Sequence, residues 1–239
     1  MSKNFIDYNG NYIQVFKFSA NPVSGLFRKI IKNTNKIVYC HGFGDPGDNQ
    51  NKFFHILNRR GHTVYALNLP GHSKSQKINR DIYWQDVFSL YEKLIDMFNI
   101  RSAILFGYSM GGGVSLALLN KGYNWIKELK LIAPVTQRYS GFMTISKIAH
   151  MIKTNIQFNL IRMSNLNRDI DTEKWIKSDF AYLISHYEKL NKDFGYNLEQ
   201  NKIPVLVVAN SEDTLMPVKE IEKNLKLIGN SHLEVVNGI

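Results

Sequence analysis

The chain has 239 residues, 44% of them hydrophobic and 21% charged, with a net charge of +10 and a pI near 9.5. That length suits one α/β domain with a sizeable core, or one domain carrying an insertion. No apolar stretch is long enough to span a bilayer, the N-terminus lacks a secretory apolar core, and the single cysteine, Cys40, cannot form an internal disulfide, so the composition points to the cytosol.

The first element is a hairpin: residues 5–18 alternate in polarity around Asn9-Gly10, a pair suited to a tight β-turn. Residues 36–42 form a short buried strand, and 49–60 a helix ending at Gly61. Residues 62–71 are the next strand, stopped by Pro70-Gly71. Residues 81–99 place Ile82, Val87, Leu90, Leu94, Ile95 and Phe98 at helical spacing. A strand follows at 102–108 and a helix at 110–121. Residues 128–135 and 203–211 are further strands, 217–229 a helix with Pro217 in its first turn, and 232–238 the last strand. Strands alternating with helices imply right-handed βαβ units and a mostly parallel sheet. Such a sheet is covered on both faces, and its ligand site lies beyond the carboxyl ends of its strands.

One junction carries chemistry. Gly107-Tyr108-Ser109-Met110-Gly111 matches G-x-S-x-G, with a strand before it and an Ala/Leu-rich helix after it. A tight strand-to-helix turn would force the serine into a strained backbone and lift its hydroxyl above the sheet. The glycines remove side chains that would collide there, and the helix points its positive end at a developing oxyanion.

This pattern resembles the α/β-hydrolase family, from about residue 36 onward. Residues 38–45, VYCHGFGD, are similar to the family's His-Gly segment, which implies an oxyanion hole made by the N–H groups of Phe43 and Met110. Residues 66–75, ALNLPGHSKS, resemble the loop after the family's fourth strand, with Asn68 for the usual aspartate and Lys74 for a glycine. Residues 207–217 resemble the acid-bearing stretch, with Asp213 four before Pro217. Asp213 is therefore the expected catalytic acid, with Glu212 the neighbouring alternative. His41 and His72 read as structural histidines of their loops. Asp45 and Asp48 read as loop or cap residues.

The family's base is a histidine in the loop after the last strand. None follows residues 232–238, and the sequence stops at Ile239. His232 precedes that strand, whose six residues at roughly 3.3 Å each would put it about 20 Å from the sheet's carboxyl edge. The expectation is that the sequence is cut short of the histidine and of a final helix. A serine without its base keeps only about 10³- to 10⁴-fold catalysis over water.

The expected domains are a core of residues 1–135 and 203–239, and a helical cap at 136–202. In the cap, Phe142, Met143, Ile145, Ile148, Met151 and Ile152, then Trp175, Phe180, Leu183 and Tyr187, have roughly helical spacing. These either line a lid suited to an acyl chain or pack on the core. The leading expectation is a serine hydrolase of carboxylic esters, lipid or acylglycerol in type, similar to the family's monoacylglycerol lipase and lysophospholipase branch. Ser109 is its nucleophile, and it needs no metal or cofactor. A non-catalytic binding fold is the alternative, as are a thioesterase, C–C hydrolase or acyltransferase. Epoxide hydrolases and dehalogenases carry aspartate where Ser109 stands. Lysines and arginines are scattered, apart from short clusters such as Lys29 to Lys36, and no nucleic-acid motif accompanies them. The charge reads as a solvated basic surface, with anionic lipid headgroups as the alternative partner.

Overall fold

The hairpin forms as its turn residues require. Strands β1 (Ser2–Tyr8) and β2 (Asn11–Phe18) pair antiparallel around Asn9 and Gly10, which adopt φ values of 52° and 79°. A two-residue turn with positive φ at both positions matches the right-handed twist of the strands. The coordinates are a computed structural model that describes residues 2–20, 36–47, 50–136, 180–214 and 216–237.

Six more strands complete one sheet: β3 (Lys36–Cys40), β4 (Thr63–Leu67), β5 (Ala103–Tyr108), β6 (Ile126–Ile132), β7 (Val205–Asn210) and β8 (Ser231–Val236). Their order is β1-β2-β4-β3-β5-β6-β7-β8. β2 meets β4 antiparallel, and every pairing from β4 to β8 is parallel. The carboxyl ends of β3, β5, β6 and β7 therefore share one rim. The helices are α1 (Asn51–Arg59), α2 (Trp84–Met97), α3 (Met110–Asn120), α4 (Phe180–Lys192) and α5 (Val218–Leu225). The expected mostly parallel α/β sheet is thus what forms.

The central strands read as continuous apolar runs because both faces are covered. Val38, Cys40, Leu67, Leu105, Leu129 and Val207 have no solvent exposure. α3 is apolar around its whole circumference, and Gly111 to Leu119 are all buried. On α2, Val87, Leu90 and Leu94 line the inner face with no exposure, each contributing about 1.5–3 kcal/mol of burial.

Several element ends differ from expectation, for local reasons. β4 stops at Leu67 rather than at 71, because Asn68 to Gly71 turn away, with Gly71 at φ 77°. β6 starts two residues before the expected 128 and stops at Ile132, because Ala133 has φ 43° and Pro134 follows. α5 starts at Val218, with Pro217 at its N-cap.

Of the segment expected to form a cap, α4 packs on the loop after β4. Tyr182, Leu183, Tyr187 and Leu190 are buried. The Tyr182 hydroxyl donates to Ile78 O at 3.0 Å and accepts from Ile78 N–H at 2.9 Å. The Tyr187 hydroxyl donates to Pro70 O at 2.8 Å. The positions from Phe142 to Ile152, and Trp175, lie outside the described residues. Among the described residues, no helix is long and apolar enough to cross a membrane.

Candidate active site

The elbow is built by close backbone approach. Ser109 sits between β5 and α3 with φ 53° and ψ −118°, a conformation that costs a non-glycine residue about 1–3 kcal/mol. Its neighbours hold it there. Ser109 N–H donates to Ile132 O at 3.0 Å, and Ser109 O accepts from Gly112 N–H at 2.9 Å and Val135 N–H at 3.0 Å. A side chain on Gly107 would collide with the Gly111 carbonyl and with Gly112 Cα; one on Gly111 would collide with the Cys40 and His41 carbonyls. Ser115 Oγ donates to Gly111 O at 2.7 Å, which braces the first turn of α3. Ser109 is left half-buried at the rim, and among the described residues its hydroxyl makes no hydrogen bond.

The His-Gly segment lies alongside. Cys40 pairs with Gly107, so two residues on Gly42 lies beside Ser109. A carbon built on Gly42 would stand 3.5 Å from Ser109 Cβ and 3.1 Å from Tyr108 Cδ1. The chain then turns back: Asp45 N–H donates to Gly42 O at 3.2 Å, with Gly44 at φ 68°. Phe43 occupies this turn over the elbow. Its buried ring packs edge-on against His72 and Tyr187, with centroids 6.3 and 6.5 Å away. Met110 opens α3, so its N–H has no acceptor within the helix.

His41 and His72 hold this loop with both ring nitrogens. His41 Nε2 accepts from Leu69 N–H at 3.0 Å, which leaves Nδ1–H to donate to Gly42 O at 2.8 Å. His72 Nε2 accepts from Gly44 N–H at 3.1 Å, and Nδ1–H donates to Leu69 O at 3.2 Å. Neither ring nitrogen is left to take a proton from Ser109. Asn68, standing for the family's aspartate, accepts from Gly47 N–H at 2.8 Å and donates to Gln14 Oε1 at 2.9 Å. A neutral amide does the tethering there.

Asp213 lies in the turn after β7, half-buried. Its N–H donates to Asn210 O at 3.1 Å, and its Oδ1 accepts from Met216 N–H at 2.9 Å. It therefore precedes the cap of α5 rather than forming it. Burial, and then the charges of Asp45 and Asp213, push the Tyr108 phenol above its usual pKa. Both carboxylates are thus near enough to act on Tyr108 through their charge, whereas Glu212 is exposed. His232 stands elsewhere: it pairs with Leu206 near the start of β7 and is exposed on the opposite rim. Asp48 lies outside the described residues. Among the described residues, no group of three or more histidine, cysteine, aspartate or glutamate side chains could hold a metal ion.

The chain as a whole resembles known proteins. The chain matches the family described as Serine aminopeptidase, S33, over residues 32–238. The chain belongs to this hydrolase family. As a member of the S33 family it is an α/β-hydrolase, as its elbow and His-Gly segment imply. It is 24% identical over 218 residues to a Mycoplasma pneumoniae protein provisionally named esterase/lipase 2, spanning 84% of this chain and 80% of that one. In fold, it is similar to a hydrolase from Pseudomonas aeruginosa PA01, with a TM-score of 0.76 and 16% identity, covering 98% of this chain and 89% of the other. An esterase from Exiguobacterium antarcticum gives a TM-score of 0.67 at 20% identity, covering 98% and 90%.

Two features of this S33 site escaped the sequence reading. Tyr108, the variable position of the motif, lies in the field of the Asp45 and Asp213 charges. A hollow beside α3 is lined partly by α4, more than 60 residues away in sequence. The run Gly111-Gly112-Gly113 was the one local sign of it.

Proposed function

We propose that the protein is a serine hydrolase that cleaves a carboxylic ester through an acyl-enzyme on Ser109. The observation that carries this reading is the positive-φ backbone of Ser109 at the head of α3, with the hydroxyl half-exposed at the rim it shares with Asp213. Strain of this kind persists where surrounding contacts over-determine it, and it concentrates at functional sites.

In this reading Ser109 Oγ attacks the ester carbonyl and its proton passes to a base. The carbonyl oxygen becomes an oxyanion that accepts from the N–H groups of Phe43 and Met110, next to the positive end of α3. The tetrahedral centre collapses, the C–O bond to the alcohol breaks, and the alcohol leaves with the proton. Water then attacks the acyl-serine by the same route and releases the acid. Asp213 is the acid that would orient a histidine base. The net positive charge suits an anionic, lipid-type group on the alcohol side of the ester.

A second reading, a fold kept for binding, has one observation in its favour. Among the described histidines, His41 and His72 are committed to the loop, His55 and His62 lie in and just after α1, His186 bonds to Ser185 and Tyr182 within α4, and His232 is on the far rim. Labelling with a fluorophosphonate, followed by peptide mass spectrometry, separates the two. Modification of Ser109 in the full-length protein, absent from Ser109→Ala, supports the hydrolase; an unlabelled Ser109 supports the binding fold.

A further inference from the structure

α3 opens with three glycines in a row, Gly111, Gly112 and Gly113. Glycine within a helix costs roughly 0.5–1 kcal/mol relative to alanine, so each position asks for a reason. Two have steric ones. A side chain on Gly111 would strike the Cys40 and His41 carbonyls, and one on Gly112 would strike Pro134. Gly113 is under less pressure: a carbon there would lie 3.2 Å from Val135 O and 3.6 Å from the Phe194 ring.

Gly113 instead borders a hollow. Its apolar walls include Trp84, Met110, Val135, Leu190 and Phe194, and Asn191 is the only amide side chain in its described lining. The wall opposite α3 is firm. Trp84 Nε1–H donates to Leu190 O at 3.1 Å, and the Trp84 and Phe194 rings lie 5.7 Å apart. The hollow also adjoins the elbow. Met110 follows Ser109 directly, and the Val135 amide is bonded to Ser109 O at 3.0 Å. Gly113 lies three residues after Met110 in the first turn of α3, on the same helix face.

The free volume is about 40 Å³, space for roughly three water-sized bodies at 10–15 Å³ each. A lining this apolar favours hydrocarbon over water. We infer that this hollow receives the acyl chain of the ester, that Gly113 keeps it open, and that the chain it accepts is short, of about butyryl size. The inference rests on the reading of Ser109 as nucleophile and narrows the acyl side of the ester only. Any side chain at position 113 would project into the space the acyl group needs.

The test is kcat/KM for p-nitrophenyl acetate, butyrate, hexanoate and octanoate, measured on the full-length protein. The expected profile peaks at butyrate and falls at least tenfold by octanoate. Gly113→Val lowers the butyrate-to-acetate ratio about tenfold, the factor that burying two methylenes supplies. Phe194→Ala enlarges the hollow from its facing wall and moves the peak to longer chains. That readout survives even if valine at position 113 prevents folding. A profile flat from acetate to octanoate overturns the inference. So does a peak that neither folded variant moves while Ser109 still takes up a fluorophosphonate, and in that case the nucleophile stands. An unlabelled Ser109 overturns both readings.

Discussion

His72 shows how one buried side chain ties the loop after β3 to pH. Burial first, and then the adjacent His41, push its pKa well below the usual 6.5. The two rings lie 4.5 Å apart, and both use Nε2 as an acceptor, so protonating either one breaks a loop contact. The unfolded chain takes up a proton at His72 near 6.5 and the folded chain does not. The unfolded state therefore binds more protons below that pH. The contribution is full above about pH 6.5 and is lost as the pH falls toward the depressed folded value, with a limiting slope of about 1.4 kcal/mol per pH unit. Thermal unfolding measured from pH 8 to 5 should show Tm falling below about 6.5. His72→Gln should be less stable at pH 8, by about 1–3 kcal/mol for the disturbed Gly44 amide, and should have a shallower acid slope. An acid slope identical to that of the wild type would contradict this account. At this scale much of the site is readable from sequence: the glycines around Ser109 announce a turn that side chains cannot occupy. The histidines' partners are not readable, because Leu69 and Gly44 meet them only through the fold.

The N-terminal hairpin is fastened to α2 by a buried carboxylate. Asp86 accepts from the Tyr8 hydroxyl at 2.7 Å, from both terminal nitrogens of Arg80 at 2.7 and 2.8 Å, and from Tyr83 N–H at 2.9 Å. Burial would raise its pKa, but the bonds from Arg80, Tyr83 and Tyr8 outweigh it, and the value is lowered. The same burial, with Asp86 as acceptor, pushes the Tyr8 phenol up to about 12. The partners are unequal: the Arg80 side chain is 46% exposed and that of Asp86 only 6%. Removing Asp86 strands the buried Tyr8 hydroxyl, whereas removing Arg80 takes away a half-exposed cation and leaves the Asp86 carboxylate its bonds from Tyr8 and Tyr83. Urea unfolding should show Asp86→Ala costing roughly 2–3 kcal/mol, with Arg80→Ala costing clearly less. Equal losses would contradict this ranking and show that the buried carboxylate depends on its ion pair rather than on Tyr8 and Tyr83. The hairpin and α2 are each legible in the sequence, one from Asn9-Gly10 and the other from its spacing of Val87, Leu90 and Leu94. Their connection is not, because 78 residues separate Tyr8 from Asp86 and no local pattern encodes such a pairing.

For the molecule as a whole, the strand order matters most. Placing β3, β5, β6 and β7 side by side brings the His-Gly segment, the elbow and the Asp213 turn to one rim from positions 41, 109 and 213 of the chain. Alternating strands and helices make the parallel sheet legible, and the rule that sites gather at carboxyl ends points to the rim. The short acyl hollow was not legible, because its walls come from α2, α3 and α4 at once. The central claim is that this rim holds a reacting carbonyl over Ser109 between two amides. A crystal structure of the fluorophosphonate-treated full-length protein tests it most directly. The account predicts phosphorus bonded to Ser109 Oγ, with the phosphoryl oxygen about 2.7–3.1 Å from the Phe43 and Met110 nitrogens. An adduct on another residue, or a phosphoryl oxygen turned away from both amides, would contradict it.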